Sequence, residues 1–272
     1  MHLSISHTTH YSFSHPVAHG LQRLRLKPKS THGQTVLDWQ MRLEGARAEA
    51  EYEDHHCNSV TLVSVEPGVT EIKITCAGTV ETADNAGIIG HHSGYMPLWV
   101  FQAQTPLTRP GPKMRALAAG LEADRDNRTL DVLHALSRKV LEAVVYETGR
   151  TDADTSAEEA LAAGHGVCQD HAHIFIGSAR LLGIPARYVS GYLMMDDRID
   201  QEAGHGWAEA HVQGLGWVGF DVSNGICPDV RYVRVASGCD YREAAPVTGI
   251  SWGEGESVLA VSLSVEQHMA GQ

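Results

Sequence analysis

The sequence predicts an α+β protein: an N-terminal antiparallel β-sandwich-like domain over residues 1–105, then helices packed on an antiparallel sheet over residues 106–272. Three observations carry this. Apolar residues alternate at period two before residue 105, they recur at spacings of three and four between 130 and 144, and strand-like runs return after residue 186.

In the first part, Leu24 and Leu26 alternate with Arg23, Arg25 and Lys27, and Trp39, Met41 and Leu43 repeat at period two. Val60 and Leu62 do the same, as do Ile72, Ile74 and Cys76. Such alternation gives one buried and one wet face. Lys27-Pro28, Glu44-Gly45, Asn58-Ser59 and Pro67-Gly68 punctuate these runs as turns. The Pro-rich stretch from Gln104 to Pro112 breaks the pattern and marks the domain boundary. Beyond it, Leu130, Leu133, Leu136, Val140 and Val144 form the stripe of an amphipathic helix. Thr155 with Glu158, or Ser156 with Glu159, offers a capping box for a short helix ending near Gly164. A helix from Cys168 ends at Gly183, with Pro185 preventing continuation. Strands are expected over 186–194, 207–212, 217–220, 230–235 and 258–265.

Net charge is -12 with His neutral, and no Lys/Arg cluster is visible, so the electrostatic footprint of a nucleic-acid binder is missing. No run of 18 apolar residues exists, and no membrane span is expected. The opening Met1-His2-Leu3-Ser4-Ile5 does not read as a signal peptide. The five cysteines are odd in number and scattered, which points to reduced thiols in a cytoplasm.

One constellation points to chemistry. Gly166-Val167-Cys168-Gln169-Asp170 opens an apolar helix, Gly204-His205-Gly206-Trp207-Ala208-Glu209 follows, and Gly216-Trp217-Val218-Gly219-Phe220-Asp221 comes last. A cysteine at a helix start, then a histidine, then an aspartate, is the layout of a thiol nucleophile with its base and orienting acid. A helix N-terminus favours the thiolate through unpaired N–H groups and a positive dipole end. The Cys168 N–H is placed to be one oxyanion donor. The second donor stays open among Gln102, Gln104, Gln169 and backbone amides. Gln169 and Trp207 are expected in the substrate cleft, Trp207 as a wall beside His205.

The other polar clusters read more plainly. Cys57, Cys76, Cys227 and Cys239 are expected as small structural thiols. His171 and His173 lie two apart on a helix and do not converge on a metal. His55-His56-Cys57 and His91-His92 lack the spacing of a closed metal site. Asp170 is expected to cap the helix or hold a loop. No metal and no cofactor are expected.

The run from Gly164 to Tyr192, including Gly183-Ile184-Pro185-Ala186-Arg187-Tyr188-Val189-Ser190-Gly191-Tyr192, resembles the nucleophile helix and following strand of the transglutaminase-like superfamily. His205-Gly206-Trp207-Ala208-Glu209 is similar to its His-Ala-Trp-Ala-Glu motif, and Phe220-Asp221 to its Phe-Asp-Pro element, with Gly206 and Val222 as departures. His7-Thr8-Thr9-His10-Tyr11 and Arg23-Leu24-Arg25-Leu26-Lys27-Pro28 resemble the β-rich N-terminal region of bacterial members. The resemblance implies a papain-like catalytic domain over 106–272. It makes Cys168 the nucleophile, His205 general base and acid, and Asp221 the orienting carboxylate. The expected activity is cysteine-dependent acyl transfer on amide or isopeptide bonds of a peptide or protein substrate. Water as acceptor makes a peptidase or amidase, the favoured reading; an amine makes a protein-glutamine transglutaminase. A non-catalytic peptide-binding module that keeps the cleft is the reading from another class. Neither nucleic acid nor membrane is expected as a partner, and a homo-oligomer is allowed.

Overall fold

The architecture is taken from a computed structural model, which describes residues 1–121, 128–201, 203–252 and 257–267. The chain begins with strands β1 (His2–Phe13), β2 (His19–Lys27), β3 (Gln34–Glu44), β4 (Ala46–Glu53), β5 (Ser59–Val65), β6 (Glu71–Thr82) and β7 (Ile88–Gly90). Helices α1 (Pro112–Ala118) and α2 (Thr129–Ala143), strand β8 (Val145–Tyr146), helix α3 (Ala157–Ala163), strand β9 (His165–Gly166) and helix α4 (Cys168–Leu181) follow. The chain then forms β10 (Ala186–Leu193), β11 (Asp200–Gln201), β12 (His205–Val212), β13 (Gly216–Phe220) and β14 (Tyr232–Gly238). Helix α5 (Tyr241–Ala244), β15 (Val247–Trp252) and β16 (Ser257–Gln267) complete it. The fold is α+β, with antiparallel pairing in all three large sheets.

The period-two runs lie in β2, β3, β5 and β6, and Leu133, Leu136 and Val140 form the buried face of α2, with buried Val144 just past its end. Of the two capping boxes the sequence allows, Ser156 with Glu159 forms. The Ser156 N–H donates to the Glu159 carboxylate at 2.9 Å, and α3 ends at Gly164 with φ 76°. That left-handed conformation is one that a residue with a Cβ adopts at a cost.

Two sheets, ordered β11-β16-β1-β6-β3 and β15-β2-β5-β4, face each other over Leu24, Val63, Ile72 and Ile74. The third sheet, β14-β10-β12-β13-β7, carries α2 and α4 on one face through Leu136, Val140, Phe175 and Ala208. Its other face meets the far end of β1 and β6 through Leu3, Ile5, Val80, Val233 and Val235. Pairing crosses residue 105 in both directions: β7 adds to the helix-bearing sheet, while β15 pairs with β2 and β16 with β1. The run expected as a strand over 258–265 therefore belongs to the N-terminal sheets.

An ion-pair network stiffens the third sheet. Glu209 is 0% exposed, and its carboxylate accepts from Arg187 Nε at 2.6 Å and Arg234 Nε at 2.8 Å. Burial pushes its pKa up, but the two guanidiniums more than offset this and hold it below the usual range. Arg187 also stacks on Trp217 at 4.0 Å. Glu209→Ala would strand two cations in the interior, so it is expected to cost about 3–5 kcal/mol. Urea titration checks this, and a loss under about 1 kcal/mol would refute it.

Candidate active site

Cys168 is the first residue of α4. The approach to the helix is fixed by Asp170, whose Oδ2 accepts from the Val167 N–H at 2.8 Å and from Thr151 Oγ1 at 2.7 Å. Asp170 therefore caps the helix, as its position suggests. Burial raises its pKa and these hydrogen bonds act against that.

His205 opens β12 and Asp221 follows the last residue of β13, the neighbouring strand. His205 Nε2 donates to Asp221 Oδ2 at 2.6 Å. Cys168 lines the same cavity as His205, and its thiol is a second partner that raises the ring's pKa. Burial alone would depress the imidazole, but the hydrogen bonds to Asp221 and Cys168 and the charges on both raise it to about 10. Asp221 is buried, which favours its neutral form, yet donors hold its pKa below the usual range. They are His205, the Tyr232 hydroxyl at 2.7 Å and Asn224 Nδ2 at 2.7 Å.

Three side chains remote in sequence thus form a chain of contacts from sulfur to imidazole to carboxylate. Asn224 sits in the turn the sequence reads as Ser223-Asn224-Gly225, but its contact with Asp221 had no sequence signal beyond that turn. Tyr232 comes from β14, two strands away from β12 in the sheet order, and nothing in its spacing points to Asp221.

Trp207, expected as a cleft wall, is placed differently. It is 2% exposed and packs behind the His205 ring, with centroids 6.2 Å apart and planes at 27°. Tyr232 closes the other side of that packing, edge-on to Trp207 at 5.5 Å. Strand alternation accounts for it: Trp207 shares a face with His205 and lies further along β12. Gln169 does line the cleft, and its Nε2 donates to the Ala153 carbonyl at 3.2 Å. Gln102 and Gln104 are spent elsewhere, donating to the carbonyls of Gly183 at 2.6 Å and Gly177 at 2.9 Å.

The cleft is a cavity of about 350 Å³ where the three sheets converge. Cys168, His205 and Tyr188 line one end, and β1, β2 and β16 supply the other. Tyr188 is 2% exposed, and its hydroxyl has no hydrogen-bond partner among the described residues. That hydroxyl occupies the space over Gly206: a Cβ there would come within 2.0 Å of it. The Gly206 departure from the family motif is thereby matched to a phenol in the site.

The remaining polar clusters stay outside it. His171 bonds to Ser223 Oγ and to the Val144 carbonyl, while His173 Nε2 accepts from the Tyr241 N–H. The two rings diverge, as their spacing requires. His55, His56 and Glu243 approach one another, with His56 Nε2 donating to Glu243 at 2.7 Å. Among the other thiols, burial pushes Cys76 and Cys239 up to about 12 and raises Cys57 and Cys227. Cys76 and Cys239 are buried, whereas Cys57 and Cys227 are half-buried. Among the described residues, no helix is long and apolar enough to cross a membrane.

Residues 115–222 match the transglutaminase-like superfamily, and residues 3–81 match the bacterial transglutaminase-like N-terminal region. The chain is 27% identical to the uncharacterized protein ML0607 of Mycobacterium leprae, covering 97% of this chain and 98% of that one. It is 28% identical to the uncharacterized protein Rv2569c of Mycobacterium tuberculosis, covering 96% and 91%. A crystal structure from Cytophaga hutchinsonii, named as that of a candidate cysteine protease, superposes with a TM-score of 0.76 at 21% identity, covering 100% of this chain and 92% of that one. That likeness speaks to the fold. With a matching core and a matching N-terminal region, the chain belongs to the transglutaminase-like superfamily.

Proposed function

We propose that this protein is a cysteine-dependent acyl-transfer enzyme that hydrolyses amide or isopeptide bonds through a thioester on Cys168. The observation that carries the reading is the His205 ring, held by Asp221 at 2.6 Å and sharing a cavity with a thiol at a helix N-terminus that raises the ring's pKa. The thiolate attacks the carbonyl carbon, and the oxyanion forms beside the Cys168 N–H. His205, protonated, delivers its proton to the departing amine. It then takes a proton from water as the water attacks the thioester, and the acid product leaves with the thiolate restored. Asp221 keeps the ring oriented and supports its charge throughout.

Tyr188 supplies a second oxyanion donor in this reading. Tyr188 lines the same cavity as Cys168 and His205, its hydroxyl has no hydrogen-bond partner among the described residues, and burial keeps its proton on by raising its pKa far above the usual value. A buried Tyr O–H ordinarily finds a partner, and the developing oxyanion would be that partner. Tyr188→Phe is expected to lower kcat by about 10²-fold with little change in KM, the scale of losing one oxyanion donor. Equal kcat in the variant would remove Tyr188 from the mechanism.

The experiment that tests the reading is a search by mass spectrometry for an acyl adduct on Cys168 after exposure to a peptide library, with and without added amine. A Cys168 adduct that decays to free acid without amine is expected. Decay only when amine is present would assign a transglutaminase instead. Absence of any adduct, together with unselective alkylation among the five thiols, would refute acyl transfer.

A further inference from the structure

The far end of the cavity has a composition the acyl-transfer step does not explain. The chain carries a net charge of -12, yet no Asp or Glu is found among the described residues that line the cavity. Its walls there are apolar, from Leu26, Val247, Leu259 and Val261, and a single guanidinium, Arg25, reaches them.

Arg25 is inside because β2 is irregular. The register against β5 shifts between Leu24 and Lys27, and Leu24, Arg25 and Leu26 are all buried in succession. A bulge of this kind re-aims a side chain that strict alternation would send to solvent. Arg25 is 4% exposed. Its Nε donates to Asp54 Oδ2 at 3.0 Å. The Asp54 carboxylate is shared with the N–H groups of His56 and Asn58 and with Asn58 Nδ2. Arg25 Nη1 is buried with no hydrogen-bond partner. A guanidinium has five N–H donors in a planar fork suited to a carboxylate, and a buried donor left unpaired is costly. The protein thus holds a buried guanidinium, paired with Asp54 through Nε and with Nη1 left unpaired, as a lining residue of an apolar cavity.

Two phenols strengthen the preference for an anion. Tyr11 and Tyr241 line the same cavity, Tyr241 edge-on to Tyr188, and burial keeps both protonated, so each can donate and neither repels a negative charge. A cavity of about 350 Å³ is the size of a small-molecule site.

We infer that the cavity is a specificity pocket for acyl donors that carry a carboxylate on an apolar stem, the carboxylate received by Arg25 while the reacting carbonyl sits at Cys168. The inference rests on Cys168 as the nucleophile. An acidic amino-acid side chain, or a dicarboxylic acyl group linked to an amine, has this chemistry.

The test compares alkylation of Cys168 by N-(3-carboxypropyl)maleimide and by neutral N-butylmaleimide, with glutarate as competitor. In the wild-type protein the acidic reagent should react about ten- to hundredfold faster, the worth of a hydrogen bond to a charged group. Glutarate should erase that advantage. Arg25→Gln should remove the preference, read as the ratio of the two reagents' rates in the same variant, and Arg25→Lys should keep part of it. A preference that survives Arg25→Gln comes from the His205 imidazolium and overturns the pocket. Equal wild-type rates for the two reagents overturn it too, with the nucleophile reading intact. Because Arg25→Gln also breaks the contact with Asp54, glutarate binding is measured by calorimetry on Cys168→Ala as well. One-to-one binding supports the pocket even if the thiol proves unreactive, and absence of binding refutes it.

Discussion

Cys168→Ala is expected to lower turnover by about 10⁴-fold or more, the scale at which removal of a covalent nucleophile leaves only binding and oxyanion stabilisation. Stability should change by less than about 1 kcal/mol, because Cys168 is half-buried at the first position of α4. Labelling by iodoacetamide at neutral pH should vanish at that position. Cys76 and Cys239 should stay silent, since burial holds them at about 12 and keeps them protonated. The His205 titration should move down, because the thiol is one of the two partners that raise it. Full activity in the variant would end the proposed mechanism.

Asp221→Asn is expected to cost about 10³–10⁴-fold in kcat, with the fold kept, as for the loss of an orienting carboxylate elsewhere. The pH profile carries the sharper signature. With Asp221 in place the imidazolium persists to about pH 10, so the alkaline limb of activity belongs there. Asparagine removes the charge and the acceptor, so that limb should move to lower pH. The sign for stability follows from the same shift. A histidine raised from 6.5 to about 10 contributes stability that is complete below pH 6.5 and disappears as the pH rises through about 10. The depressed Asp221 contributes above its ordinary carboxylate range and loses that contribution on acidification. Unfolding midpoints in urea should therefore fall between pH 6.5 and 10 in the wild-type protein and fall less in Asp221→Asn. An alkaline limb unmoved by the substitution would show that Asp221 does not support the imidazolium.

Much of this arrangement was legible before any coordinates. Period-two runs and the stripe from Leu130 to Val144 are local consequences of burying one face, and they mark their elements without tertiary knowledge. The motifs around Cys168, His205 and Asp221 were legible because each sits in a distinctive local setting: a helix start, a strand start and a strand end. Short strand β7 and four-residue α5 were not, since neither is long enough to show a period. Arg25 read as a solvent-facing residue of an alternating strand, and only the register shift turns it inward. Trp207 does lie beside His205, but it packs behind the ring and does not line the cleft, because periodicity gives the face of a strand and not what lies beyond it. Tyr232 and Asn224 show the same limit: their worth to Asp221 lies in side-chain reach across strands.

The pairing of Leu3 with Gln267 and of Leu24 with Val247 sets a timetable for the cavity. On the ribosome, β1 and β2 come first, then Cys168, His205 and Asp221, and only afterwards β15 and β16, which pair with those first strands beside the cavity. Those early strands wait with open edges until the last two arrive, because antiparallel partners so distant in sequence close late. A nascent chain halted after Asp221 would hold all its reactive groups and no finished pocket.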